Sequence, residues 1–256
     1  MQLDHVVLMV ENLAQGTEQY AAQGFTVTPG GEHTHGNTHN ALIALQDGVY
    51  LELLAFKVPH ATPHRWDRYR AFPGVIDYCL GFASVAGAVR DINARGLDYP
   101  APIETGRLRP DGVELRWRSS QLADQERGLP FLIEDVTPRS LRVPGGGRPQ
   151  VAGAPVYGAG ADVPGGAAAN HANGASGVAQ LEVLVPDLAR ARSDFSALLG
   201  SEGRGEEAAL IFDLEGVPLR LTAPEAGSAE CKLLAARGAG AWRLTLHGNG
   251  GSHIVL

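Results

Sequence analysis

The 256-residue sequence has two cysteines, Cys79 and Cys231, far apart and outside any CxxC or zinc-type spacing. That excludes a disulfide-stapled scaffold and a cysteine zinc site, and reads both thiols as small buried hydrophobes in a reducing compartment. No apolar run nears the roughly 18 residues a membrane helix needs, and VVLMV is only strand-sized. Positive charge is not in excess either. With 21 basic and 28 acidic side chains the formal charge is −7, whereas a phosphate backbone is met by a basic face. The opening MQLDHVVLMVENL has no basic start and no small-residue cleavage site, so no secretory signal is read there. These absences point to a cytoplasmic protein that handles small molecules, with neither nucleic acid nor membrane as partner. A hydrophobic share of 44% is that of an ordinary globular chain, long enough for one large core or two modest ones.

What the sequence does contain is a repeat. LDHVVLMVENLAQGTEQYAAQGF gives an apolar strand, a polar cap at Asn12, a helix and a stop at Gly24. VIDYCLGFASVAGAVRDINARGL repeats that order with Ser84 and Gly96, and VAQLEVLVPDLARARSDFSALLG repeats it with Asp187 and Gly200. Asn, Ser and Asp side chains accept from the free N–H groups of a first helical turn, and Gly takes the left-handed conformation that ends a helix. QDGVYLELL, PDGVELRWR and LEGVPLRLT then share an acidic-Gly turn followed by an alternating strand, a hairpin signal. The unit is β-α-β-β-β, three times over, with the third copy short.

Composition divides the chain. Residues 141–176 are almost entirely Gly, Ala, Pro and small polar residues, too poor in apolar surface to build a core, and read as a linker. The expected organisation is an α+β domain over 1–140, with modules at about 1–58 and 75–138. A third module with closing strands follows over 177–256.

Six of the nine histidines fall within the first 64 residues. Alternation of Leu3, His5 and Val7 places His5 on one face of a strand, either as a hydrogen-bonded core residue or as a cleft ligand or base. Glu52 stands among Tyr50, Leu51, Leu53 and Leu54, where a carboxylate facing a core has to be paired, protonated or metal-bound. Tyr50 and Leu54 share its face as a pocket wall; the alternative is an edge-strand Glu facing water. Gly30, Gly31 and Gly36 mark a loop carrying His33 and His35, as fairly read solvated as functional. His60 and His64, with Arg65, Trp66, Arg68 and Tyr69, lie in a Pro-punctuated crossover that is either an ordinary connection or a lid. Alternation sets Arg116 and Arg118 opposite Leu115 and Trp117, so Trp117 is core or cleft wall. An Arg on the cleft side would hold an acidic substrate bidentately.

Together, LDHVVLMVENL, GGEHTHGNTHNALIALQDGVYLELLAF, GRLRPDGVELRWR and LPFLIED resemble the glyoxalase-like domain proteins. These are a branch of the vicinal oxygen chelate superfamily, which also holds glyoxalase I, extradiol dioxygenases, epimerases and bleomycin-resistance proteins. The resemblance covers about residues 1–138 well and 177–222 at superfamily level. It implies tandem modules whose curled mixed sheet surrounds a cleft, often with a divalent metal. It sets the first-strand ligand on His5, the last-strand carboxylate on Glu52, and Asp77 at the first-strand position of the second module. The second module's last-strand position falls near Leu132, or at Arg116, and neither residue binds a metal. His5, Glu52 and Asp77 are thus the metal candidates (Zn, Mn, Fe, Ni or Mg). His5, Glu52 and His39 are the catalytic ones, and Asn40, Arg107, Tyr50 and Trp117 the substrate contacts. Glu134 is an outside candidate for a second-module ligand. The implied activity is metal-assisted isomerase, epimerase or lyase chemistry on a carbonyl-containing or acidic small molecule. The alternative is a non-catalytic binding or resistance protein. The third copy carries Gln180 where His5 stands and Arg220 where Glu52 stands, so its expected role is architecture or homodimerisation.

Overall fold

The structure is a computed structural model and describes residues 1–57, 64–143, 169–206 and 208–256. β1 (Gln2–Met9) leads into α1 (Leu13–Ala22), whose N-cap Asn12 accepts from the N–H of Gln15. β2 (Thr28–His33), β3 (Thr38–Ala44) and β4 (Tyr50–Phe56) complete the first module. The second is β5 (Gly74–Gly81), α2 (Val85–Ala94) capped by Ser84, β6 (Ile103–Leu108), β7 (Glu114–Ser120) and β8 (Phe131–Asp135), followed by the short α3 (Arg139–Arg142). The third is β9 (Gly177–Leu184), α4 (Leu188–Leu199) capped by Asp187, β10 (Arg204–Glu206), β11 (Ala209–Leu214) and β12 (Val217–Thr222). After it come α5 (Ala229–Arg237), β13 (Gly240–His247) and β14 (His253–Val255). The acidic-Gly turns form as the sequence predicts. Gly48 and Gly112 both take φ 83°, and Glu215 (φ 53°) with Gly216 (φ 98°) makes the third turn.

The first two modules form the expected curled mixed sheet, and it curls far enough to close on itself. They close into one barrel in the order β1-β4-β3-β2-β6-β7-β8-β5, with β1 parallel to β4, β5 parallel to β8, and β5 antiparallel to β1 across the seam. Closure removes every free edge, and strand alternation sorts side chains into an interior and an outer face. On the outer face Val6, Leu8, Ala41, Ile43, Leu51, Leu53, Tyr78 and Leu80 join one core, which α1 and α2 cover in part. The third module supplies the rest of the cover. Leu181, Val183, Leu219, Leu221, Ala241, Leu244 and Leu246, from a six-stranded sheet ordered β10-β11-β12-β9-β13-β14, belong to that same core. Hydrogen bonds stitch the contact: Tyr69 Oη donates to the carbonyl of Ala239, and Arg237 Nη1 donates to that of Val75 at 2.9 Å.

Three expectations change. The Gly30–Gly31 stretch is strand, not loop, because β2 passes so close to β3 that a Cβ at Gly30 would collide with the Asn40 amide. The far end of the expected linker is packed. His171 Nε2 meets the carbonyl of Ala44 at 2.8 Å, its Nδ1 accepts from the N–H of Thr26, and Ala175 is buried. The last-strand position of the second module is Phe131, next to Leu132, and not Arg116. Phe131 lies beside Cys79 as Glu52 lies beside Val7. His60 and residues 144–168 of the linker lie outside the described residues. No helix among the described residues is long and apolar enough to cross a membrane.

Because one core serves barrel and second sheet, a defect on either side is felt by both. Leu181→Ala empties a fully buried site and costs about 2–5 kcal/mol. Denaturant unfolding followed by fluorescence and by far-UV circular dichroism is expected to show one coincident, shifted transition. Two separated transitions would show that the sheets are independent.

Candidate functional site

The interior of the barrel is where the polar residues converge, and a bulge makes this possible. The register of β1 on β5 shifts between Leu3, opposite Leu80, and His5, opposite Cys79, which is a bulge at Asp4. Strict alternation would put Leu3 with His5. Instead Leu3 joins the outer core, while Asp4 and His5, although consecutive, both turn inward. The Asp4 carboxylate only accepts, so the Nδ1–H of His5 donates to Oδ1 at 2.8 Å. The ring stacks on Tyr50 at 4.6 Å and 17°, with Phe131 edge-on at 5.2 Å.

His5 Nε2 faces Glu52 Oε2 at 3.4 Å. Asn40 Nδ2 donates to Glu52 Oε1 at 2.6 Å, and Arg107 Nη1 donates to Asn40 Oδ1 at 3.2 Å. Asn40 therefore stands between a guanidinium and a carboxylate, with one end of its amide turned to each. Four residues from four strands, His5, Asn40, Glu52 and Arg107, meet at 2–4% exposure. Trp117 is half-buried against the interior apolar cluster of Val7, Leu54, Trp66 and Phe131.

Several participants were not singled out by the sequence. α3 closes on the barrel from beyond β8. Arg142, 2% exposed, donates from Nη1 to Asp4 Oδ1 at 3.0 Å and to Tyr50 Oη at 2.8 Å, and from Nη2 to Asp135 Oδ2 at 3.0 Å. Arg139 donates to Asp4 and, at 2.7 Å, to the carbonyl of Gly48. His33 is the other addition, with Nε2 at 3.5 Å from Glu52 Oε1 and Nδ1 at 2.8 Å from Thr38 Oγ1. His33 stacks on exposed His35 at 5.4 Å, and His35 lies 5.2 Å from His64, so a file of imidazoles leads outward from Glu52. The clue was present in HTH: His33 and His35 alternate, which aims both rings along one side.

Other predicted residues lie elsewhere. His39 sits on the face of β3 opposite Asn40, half-buried beside Glu32 and Lys57, because neighbours on a strand point apart. Asp77 is committed to Trp66 Nε1 at 2.7 Å and Arg65 Nη2 at 2.9 Å, so it does not join His5 and Glu52. Arg116 and Arg118 pair with Glu104 and Glu134 on the outside. Glu134 also accepts from the N–H of Val85 at the start of α2.

The metal expectation can be tested on donor chemistry. Nδ1 of His35 and of His64 accept from the backbone N–H groups of Asn37 and Trp66, at 3.2 and 3.3 Å. Neutral rings so bound carry their proton on Nε2 and offer no free lone pair. Glu52 Oε1 is already taken by Asn40, and Asp77 by its own partners. No group of three or more His, Cys, Asp or Glu side chains among the described residues is placed to hold a metal. The set His5, Glu52 and Asp77 does not fit one.

Charge and burial set the protonation states. Burial pushes the Glu52 carboxyl up, but the His5 hydrogen bond, the nearby imidazoles and Asn40 outweigh it and bring it to about 2. Burial lowers His5, and its bonds to Asp4 and Glu52 reverse this, leaving it raised from 6.5. Burial brings His33 and His64 down to about 4. Groups lowered by folding stabilise above their unfolded values and lose that contribution as pH falls through the folded ones. Stability should therefore decline from pH 6.5 to about 4 through His33 and His64. It declines again from 4.5 to about 2 through Glu52. The His5 contribution runs the other way, present below 6.5 and lost as pH rises through its folded value. Urea midpoints measured across pH are expected to peak near neutrality. Glu52→Gln should flatten the lower acid limb, and an unchanged limb would contradict this assignment.

The family model of the glyoxalase-like domain matches residues 3–199, the whole barrel together with β9 and α4. A solved structure from Staphylococcus aureus, described as a hypothetical protein, aligns over 87% of this chain and 86% of its own, with 13% identity and a TM-score of 0.64. A variant of 4-hydroxymandelate synthase from Streptomyces coelicolor aligns over 94% of this chain and 69% of its own, with 12% identity and a TM-score of 0.55. A Streptomyces coelicolor methylmalonyl-CoA epimerase variant in complex with 2-nitronate-propionyl-CoA aligns over 54% of this chain and 96% of its own, with 20% identity and a TM-score of 0.36. No curated protein matches the sequence. The first two likenesses are of fold, that of the vicinal oxygen chelate superfamily, and with residues 3–199 matched this chain belongs to the glyoxalase-like domain family.

Proposed function

We propose that this protein is a small-molecule enzyme that moves a proton beside a carbonyl or enolate centre, within the isomerase, epimerase or lyase class. One observation carries the reading: an imidazole, His5, lies between two buried carboxylates, Asp4 and Glu52. An imidazolium so placed is an acid, and Glu52, ionised over the whole physiological range, is the matching acceptor. A carbonyl substrate would take the His5 proton on its oxygen while the adjacent carbon gives its own to Glu52. Proton return to the other face of that carbon gives epimerisation, and return to a neighbouring atom gives isomerisation. Asn40, which donates to Glu52, and Arg107, which donates to Asn40, would supply N–H groups for the oxygen that gains charge. Tyr50 and Trp117 are the aromatic walls of the substrate site. No step runs through a metal, because the donors are not arranged to hold one.

A second reading is a binding protein of the same fold. It is favoured by the saturation of the site, since Asn40, Glu52 and Asp4 each already have a protein partner. Thermal-shift screening of the whole chain against small carbonyl acids, followed by proton exchange into deuterated water watched by NMR, separates the two. Exchange of the hydrogen next to the carbonyl is expected, and both His5→Ala and Glu52→Ala should lower its rate by roughly 10²- to 10⁴-fold. Stabilisation without exchange would leave the binding role. Metal analysis of protein purified without chelator should find less than one divalent ion per chain. A stoichiometric ion lost in both variants would overturn the metal-free version.

A further inference from the structure

The polar groups of the interior fall into two layers. Glu52, Asn40 and Arg107 form the layer on the Nε2 side of His5. Behind His5 lies a second layer that neither the motifs nor the family match assigns: Asp4, Arg139, Arg142 and Asp135. We propose that Asp4 is the positioning residue of His5, and that α3 is the clamp that holds Asp4 in that role. The bulge between Leu3 and His5 turns the Asp4 carboxylate inward, where Oδ1 takes the Nδ1–H of His5 at 2.8 Å. The other nitrogen, Nε2, is thereby left to face Glu52 at 3.4 Å.

A hydrogen bond this short from a neighbouring residue would not fix the ring if the carboxylate were free to rotate. It is not free. Arg142 contacts both its oxygens, Oδ1 from Nη1 at 3.0 Å and Oδ2 from Nη2 at 3.1 Å, and Arg139 adds a further bond to Oδ2. The clamp is itself anchored on three sides. Arg142 Nε donates to Asp135 Oδ1 at 2.5 Å at the end of β8, its Nη1 donates to the hydroxyl of Tyr50, and Arg139 reaches the carbonyl of Gly48 in the β3–β4 turn. Tyr50 closes the circuit by stacking on the His5 ring. The groups around the ring are thus Asp4 and Glu52 as anions, Arg139 and Arg142 as cations, Tyr50 on one face, and Cys79, buried, beside it on β5. An Asp whose only task was to balance α3 would not need the bulge, since an outward or water-facing position would cost less than 1% exposure does. The bulge, the two guanidiniums and the ring bond have one feature in common: each constrains the nitrogen that His5 presents to Glu52.

The inference rests on the proposed role of His5 in proton movement, and it is tested without any substrate. Long-range ¹H–¹⁵N spectra of the full chain, labelled at histidine and recorded where the ring is neutral, report which nitrogen carries the proton. In the wild type the proton of His5 is expected on Nδ1, with a downfield, slowly exchanging ring N–H signal. Asp4→Asn keeps an accepting oxygen and should keep that pattern. Asp4→Ala should lose the downfield signal and move the proton to Nε2, the form preferred by an unconstrained ring. Arg139→Gln, which loosens the clamp from its more exposed side, should make the signal exchange faster while leaving the proton on Nδ1. A wild-type proton on Nε2, or an Asp4→Ala ring still protonated on Nδ1, would overturn the proposal. Should Asp4→Ala not fold, the wild-type tautomer alone decides. Loss of hydrogen exchange chemistry with the tautomer as expected would count against the enzyme reading only, and the reverse result against the clamp only.

Discussion

A carboxylate enclosed by eight strands has to be met by charge or hydrogen-bond donors, and most of the interior follows from that requirement. Glu52 is met by His5 and Asn40, Asn40 by Arg107, and Arg107 Nη2 by the carbonyl of Arg142. Asp4 is met by Arg139 and Arg142, and Arg142 in turn engages Asp135. The chain of contacts begins on the first strand and ends on a helix that follows the eighth. Removing one partner leaves a buried charge without compensation, so the network, like the ladder at the seam, ties the two modules together.

The three modules share a frame and differ in what they place inside it. In the first, β1 and β4 set His5 and Glu52 on the inner face. At the equivalent places of the second, Asp77 is bound by Trp66 and Arg65, and Phe131 fills the position of the carboxylate. In the third, the register sets Arg220 beside Glu182 as Glu52 sits beside Val7, so Gln180 and Arg220 take the places of the His–Glu pair. One module in three keeps the His–Glu pair. The second lends apolar walls to the barrel. The third gives its apolar face to the outer core, with β13 against β9 as β5 is against β1.

The regular parts were legible because they depend on neighbours in sequence. Asn12, Ser84 and Asp187 cap as their side chains dictate, and Gly48, Gly112 and Gly216 turn where an acid-Gly pair falls between alternating strands. The inward placement of Glu52 followed from a lone carboxylate in an apolar strand. What escaped depends on contacts distant in sequence. Nothing in LDHVV signals a bulge, since its apolar pattern fits alternation equally well, and the bulge exists only against β5. Arg142 falls in the expected linker, yet it is buried, because its partners Asp4 and Tyr50 come from the far end of the chain. His33, at the end of β2, reaches Glu52, while alternation on β3 turns His39 away from Asn40 and outward.

The position of α3 in the chain has a consequence for biosynthesis. The first strand leaves the ribosome early with Asp4 and His5, and Glu52 follows after some fifty residues, but the guanidinium that satisfies Asp4 belongs to residue 142. Until that residue emerges, the amino-terminal half carries its acids in a half-built wall and has every reason to stay open to water. A nascent chain halted just ahead of that residue would hold every strand of the barrel and lack the guanidinium that meets Asp4.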